Sequence, residues 1–385
     1  MNADLVLLSI SLFTWGMGEA MFTYFQPIYL QQLGANTMTI ALVFSFFGMA
    51  MMLAHIPAGY LADRIGRKPL LVAAWLAGLV AAWIMALAGN LPVFVAGMLF
   101  YGFTAFVSAP LNSYITSARG KLSVVRAMTL VSAAYNLGAV LGPVSGGWIA
   151  HRYSLQMVYV VSACVFIPST IMLLFLRKQP RDIHDPAAPP ASLWQNTRLL
   201  SFLGIIFLAM FMMYLPQPLT PRFLQNERGL SLENIGLLGS VGSLGNALLA
   251  LLVGQFAARG GFLVVQVLVA AFSLLLWKGV GLPWYMLGYF LLGGFRSARS
   301  LIYAQIRPLI HPAQMGLAYG IAETFSALGV MLAPLLAGVL YTRDPALVYP
   351  VSLGLLGIMV ILSGIFAPKD TGKEEITTVS GPPEL

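Results

Sequence analysis

The chain has 385 residues, of which 59% are hydrophobic and 9% charged, with a formal net charge of +8. Its mean hydropathy is +0.84, and water-soluble domains carry roughly a quarter charged residues, so a soluble globular fold is excluded. The bases lie in separate short loops between apolar runs, a pattern that fixes membrane orientation rather than one that binds nucleic acid.

In chain order the apolar runs predict twelve membrane-spanning helices. The first six are Leu5–Leu30, Thr39–Ala62, Pro69–Gly89, Leu91–Ser117, Ser123–Ala150 and Leu155–Leu176. The second six are Leu199–Leu224, Leu232–Ala257, Phe262–Gly279, Pro283–Arg307, Gln314–Tyr341 and Leu347–Phe366. Each run is long enough for a helix to cross the bilayer, whereas a barrel strand needs only about ten alternating residues. Leu5–Leu30 is too long for a signal peptide and is expected to remain as an uncleaved first span. The expected fold is therefore an all-α membrane protein with two pseudo-symmetric six-helix bundles, at residues 1–176 and 198–366. Residues 177–197, rich in proline and mixed charge, read as an extended linker, and residues 367–385 as a disordered tail. Cys164 is the single cysteine, which leaves no disulfide framework and no cysteine metal site.

Arg64, Arg67, Lys68, Arg119, Lys121, Arg126, Arg177, Lys178, Arg181, Arg198, Arg259, Arg307, Lys369 and Lys373 fall on one set of loops. Only Arg152, Arg222, Arg228, Lys278 and Arg343 fall on the other. The richer side is expected to be cytoplasmic, with both termini and the linker inside. The halves also echo each other. Gly138-x3-Gly142-Pro143-x2-Gly146-Gly147 returns as Gly329-x3-Ala333-Pro334-x2-Ala337-Gly338, and Tyr29-Leu30-Gln31-Gln32 as Phe223-Leu224-Gln225-Asn226. Gly59–Arg64 has a worn counterpart in Gly254–Arg259. A duplicated bundle of this kind is a transporter architecture, in which two halves rock about a central site.

Between spans two and three, Gly59–Leu71 reads G-Y-L-A-D-R-I-G-R-K-P-L-L and forms a polar turn between two apolar segments. It resembles the loop-two/three signature of the major facilitator superfamily, G-x-L-A-D-R-x-G-R-K-x-x-L. The resemblance implies a conformational gate built on Gly59, Asp63, Arg64, Gly66, Arg67 and Lys68, with Asp63 meeting the N-terminus of span eleven. Carboxylates are favoured at helix N-termini by about 0.3–1 kcal/mol. Gly138, Gly142, Pro143, Gly146 and Gly147 are similar to the fifth-span signature of exporters, especially proton-driven drug exporters. Their small side chains let span five approach a neighbouring helix closely. Proton-driven drug exporters typically carry an arginine in span four, four residues before a glycine. Anchored on Gly102, this chain has Met98 there.

Ionisable residues inside spans are few: Glu19 in span one, Arg296 and Arg299 in span ten, and Glu323 in span eleven. Each would cost roughly 2.5–3.5 kcal/mol facing lipid, so each should face a cavity or a partner. Glu19 is the candidate for proton coupling. Arg296 and Arg299, three residues apart, share a helix face and suit an anionic group, or one of them pairs with Glu323. The resemblance places spans one, four, seven and ten around the central cavity. Further cavity candidates are Tyr24, Gln26, Tyr101, Asn112, Tyr114, Tyr214, Gln217 and Tyr303.

These features point to a secondary active transporter, not an enzyme, exporting amphipathic or drug-like molecules in exchange for protons. Its expected place is a prokaryotic cytoplasmic membrane, as a monomer, with lipid, a small-molecule substrate and protons as its partners. No nucleotide-binding loop occurs, and neither cofactor nor metal is expected beyond the proton gradient. The alternatives are an exchanger or symporter of an anionic metabolite or lipid headgroup, using Arg296 and Arg299, and a transport-dead receptor or assembly factor.

Overall fold

A computed structural model describes residues 3–179, 196–310 and 315–368, with the backbone alone at 55–65, 109, 125 and 316. The greater part of the expected linker and the expected tail lie outside the described residues. Among the described residues, ten helices are long and apolar enough to cross a membrane. A bent pair, Leu91–Val107 with Pro110–Ala118, makes up to eleven. The expected tenth span is in pieces: helix Leu282–Leu292, a 3-10 turn Gly293–Ser297 and helix Ala298–Ile306.

The interruptions follow local chemistry. Span one divides into Ala3–Thr23 and Gln26–Gln32, with Pro27 at the start of the second piece. Span seven divides into Thr197–Tyr214 and Thr220–Asn226 across Pro216 and Pro218. Proline has no N–H to donate and its ring crowds the preceding turn. Lipid leaves such freed backbone groups no solvent, so neighbouring helices must satisfy them.

The polar turn is smaller than the sequence suggests. Span two is one helix from Thr37 to Ile65, and span three starts at Arg67. Gly59, Asp63 and Arg64 are therefore helical, and the turn is Gly66 alone, at φ 92°. An L side chain rarely adopts that conformation, and glycine does so freely. Arg67 hydrogen-bonds Ser117 and Gln179, and Lys68 donates to the Leu174 carbonyl at 2.9 Å. In the second half Arg259, at the start of span nine, donates to the Gly364 carbonyl in span twelve. A cation on the end carbonyls of a helix satisfies groups that have no partner within the helix. The two halves thus repeat one clasp, between spans three and six and between spans nine and twelve.

The other echo is equally physical. Tyr29 stacks on Tyr159 with ring centroids 5.0 Å apart, and Phe223 meets Tyr349 at 4.8 Å. The glycine signature packs backbone against backbone. A Cβ at Gly138, Gly142 or Gly146 would collide with the carbonyls of Phe13, Met17 or Met21 of span one. Gly329 sits likewise on Phe207 and Phe211 of span seven. Spans five and eleven also face across the molecule: Gly147 abuts Leu232 and Gly236 of span eight, and Gly338 abuts Ala41 of span two.

These cross-contacts join the halves at the end marked by the Gly34 turn. Asn226 donates to Gln31 at 3.1 Å, Arg222 to Thr37 at 2.7 Å, and the Val144 amide to Ser240 at 3.0 Å. One apolar core runs through the first half and, at this end, into Phe223, Ile235, Tyr289 and Tyr341 of the second. Toward the Gly66 end the second half has a separate core around Phe202, Phe262 and Ile302. The halves are fused at one end and parted at the other.

Replacing Gly142 with leucine should lower the thermal unfolding temperature sharply, because overpacking costs about 1–3 kcal/mol. Gly204→Ala, where nothing lies within 4 Å of the added Cβ, should leave it unchanged in the same detergent-solubilised melt. Equal stability of the two variants would refute the close packing of spans one and five.

Candidate functional site

Where the halves part, they enclose a cavity of about 1190 Å³. It extends from Phe22 and Gln26, below the fused end, to Ile115, Met128 and Leu251, near the helix ends on the Gly66 side. Its wall is aromatic and apolar. Trp15 lies 5.0 Å from Trp75 and 6.3 Å from Tyr101 between ring centroids, with Phe47 and Met51 opening onto the same space. Pockets of this kind, apolar with a few convergent polar groups, are the usual small-molecule sites.

Glu19 provides the carboxylate. Span one carries it into the cavity, where the Tyr135 hydroxyl of span five donates to it at 3.0 Å. Tyr101 stands beside it. Arg296 enters from the other half, in electrostatic range of Glu19 and Tyr135. Among the described residues no carboxylate lies within ion-pair distance of Arg296. Just beyond, Asn246 donates to Asn136 at 2.9 Å across the interface between the halves.

Arg299 has a different fate. Its guanidinium grips both oxygens of Glu323 in span eleven, and the Tyr303 hydroxyl donates to the same carboxylate. Arg299 still lines the cavity, with its side chain half-exposed, but its fork is engaged. A bidentate arginine–carboxylate pair is among the stronger polar contacts available to a protein.

Of the sequence-predicted residues, Glu19, Gln26, Tyr101, Asn112, Arg296 and Arg299 line the cavity. Tyr24 lies against Tyr289 at the seam between halves, with centroids 6.2 Å apart. Tyr114 is fully buried and turned back into the first half, its hydroxyl donating to the Arg177 carbonyl at 2.9 Å. Tyr214 packs on Phe295, and Gln217 donates to the Met213 carbonyl of its own span. These side chains share a span with cavity residues but leave the helix in other directions. The side chains of Asp63 and Arg64 lie outside what the structure describes. Sequence reading missed Tyr135, Asn136 and Asn246. Adjacent Tyr135 and Asn136, mid-span and directly before the glycine signature, are the signal that could have revealed the first two.

The family model described as Major Facilitator Superfamily matches residues 8–293 and 202–378. The quinolone resistance protein NorA of Staphylococcus aureus is 22% identical over 382 residues, covering 94% of this chain and 96% of that protein. An uncharacterised MFS-type transporter of Methanocaldococcus jannaschii is 30% identical over 158 residues, 41% of each chain. A solved structure of a point mutant of the nucleoside transporter NupG superposes with a TM-score of 0.80. It is 14% identical and covers 94% of this chain and 99% of its own.

The Arg299–Glu323 pair should behave as one unit. Arg299→Gln and Glu323→Gln should each lower the melting temperature, and the double variant should lose less than the sum of the two. Contacting charges couple by about 0.5–3 kcal/mol. Strict additivity in thermal melts would mean that the pair carries no stability.

Proposed function

The chain belongs to the major facilitator superfamily, and from that premise we propose that it exports amphipathic small molecules in exchange for protons. The observation that carries this reading is Glu19, an ionisable group in the central cavity, held by Tyr135 and facing the second half. A carboxylate so placed takes a proton from one side and releases it to the other as the halves rock. Met98 stands where proton-driven drug exporters typically carry arginine, so coupling in this reading rests on Glu19 without that arginine. The aromatic and methionine wall accommodates varied apolar bodies, because thioethers and ring faces repack readily. Drug resistance is what NorA is named for, and a Citrobacter koseri relative, 28% identical over 181 residues, is named multidrug resistance protein MdtG.

In this reading the Gly66 end is cytoplasmic and the cavity faces the cytoplasm. To release cargo on the other side, the seam at Gln31, Thr37, Arg222 and Asn226 must part. The Gly66 end must close at the same time, with Asp63 drawn toward span eleven. A second reading, transport of an anionic metabolite or lipid headgroup, is favoured by Arg296 alone, since Arg299 is occupied by Glu323.

In proteoliposomes, Glu19→Gln should abolish pH-gradient-driven movement of an amphipathic fluorescent cargo while leaving the protein folded. Undiminished gradient-driven transport would sink the coupling assignment. Asp63→Asn should shift the resting population toward the cytoplasm-open state, seen as greater labelling of cysteines introduced at the Gly66 end. Labelling unchanged on both faces would count against the gate.

A further inference from the structure

The cavity holds two charges of opposite sign that do not neutralise each other directly. Glu19 belongs to the first half and Arg296 to the second. Both line the same space, yet they do not form an ion pair. Tyr135 donates to Glu19 and lies in electrostatic range of Arg296. A structural ion pair would close to contact, as Arg299 and Glu323 do. Glu19 and Arg296 instead face the same cavity without contact, each open to a group of a ligand.

We propose that the cavity is built for zwitterionic amphipaths, whose ammonium docks on Glu19 and whose carboxylate, a few bonds away, docks on Arg296. The apolar body of such a molecule lies against Trp15, Trp75, Tyr101 and Phe47. Desolvation decides the class. A cation alone satisfies Glu19 and leaves Arg296 unpaired in an occupied cavity, and an anion alone satisfies Arg296 but leaves Glu19 unpaired unless it holds a proton, which blocks the exchange. An unpaired charge in such a place is strongly unfavourable. A neutral molecule leaves both unpaired, whereas a zwitterion pairs both and adds no net charge. The volume of about 1190 Å³ exceeds what an amino-acid headgroup fills, so the remainder selects for a large apolar body.

This inference rests on reading the cavity as the transport site, and it sharpens the exchange. The cargo's ammonium and a proton compete for one carboxylate, so loading the cargo expels the proton. Its carboxylate on Arg296 ties the first half to the second, so occupied cargo favours the state in which the halves close around it. A ligand shifts a conformational equilibrium only through such differential contacts.

A matched fluorescent series tests the proposal. Nε-dansyl-lysine carries both charges, dansylcadaverine only the ammonium, 6-(dansylamino)hexanoate only the carboxylate, and N-pentyl dansylamide neither. Titrated against the purified chain in nanodiscs, the lysine derivative should bind at least about tenfold tighter than each of the other three, as a charge-assisted hydrogen bond implies. Arg296→Gln should erase its advantage over dansylcadaverine, and Glu19→Gln its advantage over the hexanoate, with Glu19→Asp restoring part of the latter. Equal binding of dansylcadaverine and the lysine derivative to the unaltered protein overturns the proposal, and so does failure of all four to saturate. The ranking needs no variant, so a misfolded one does not decide it. If the ranking fails while Glu19-dependent proton exchange survives, the zwitterion is wrong and the transport reading stands.

Discussion

Everything about this molecule depends on a backbone-to-backbone seam at one end. Spans five and eight approach so closely at Gly147 and Gly236 that neither position admits a Cβ. Span two meets span eleven at the same end, where the Cβ of Ala41 fills the space that a side chain at Gly338 would need. Helices surrounded by lipid gain nothing from hydrophobic association, so close van der Waals contact between small residues must hold them. Because the seam occupies only the Gly34 end, the apolar core is continuous there and divided at the other. A one-sided cavity is the geometric remainder.

The charges inside the bilayer divide along the same line. Arg299 and Glu323 satisfy each other within the second half and hold span ten, broken at its glycines, against span eleven. Glu19 and Arg296 come from different halves and are left for something that enters. A protein that merely needed stability would hold all four as the first pair is held. Keeping two of them apart at membrane depth is expensive, and in the proposed exchange the expense is recovered when cargo or a proton arrives.

Much of this was legible in the sequence. Run lengths located the helices, because bilayer thickness sets how many apolar residues a span needs. The repeated Gly-Pro signature and the Tyr29 and Phe223 echoes mark positions that do the same packing work in each half. The intramembrane charges stood out against a composition almost free of them. What the sequence concealed was direction. Tyr101 and Tyr114 share span four, yet one faces the cavity and the other the Arg177 carbonyl, because their spacing puts them on opposite helix faces and only the fold shows which face the cavity takes. Asn246 is unremarkable until the halves are juxtaposed, since a hydrogen bond across an interface leaves no periodic trace. The polar loop looked long because charge suggested coil, but only Gly66 has to leave the helical conformation.

The paired clasps, Lys68 on Leu174 and Arg259 on Gly364, have a mechanical meaning. They stiffen each half at the end farthest from the seam, so that a displacement is transmitted as rotation and is not absorbed by bending. Span two has 29 residues, a rod about 43 Å long at 1.5 Å per residue. Pivoting near the seam by about 10°, such a rod carries its far end through about 7 Å. A slight repacking among glycines at one membrane face thus becomes a passage wide enough for a small molecule at the other, as long as the clasps keep each half rigid.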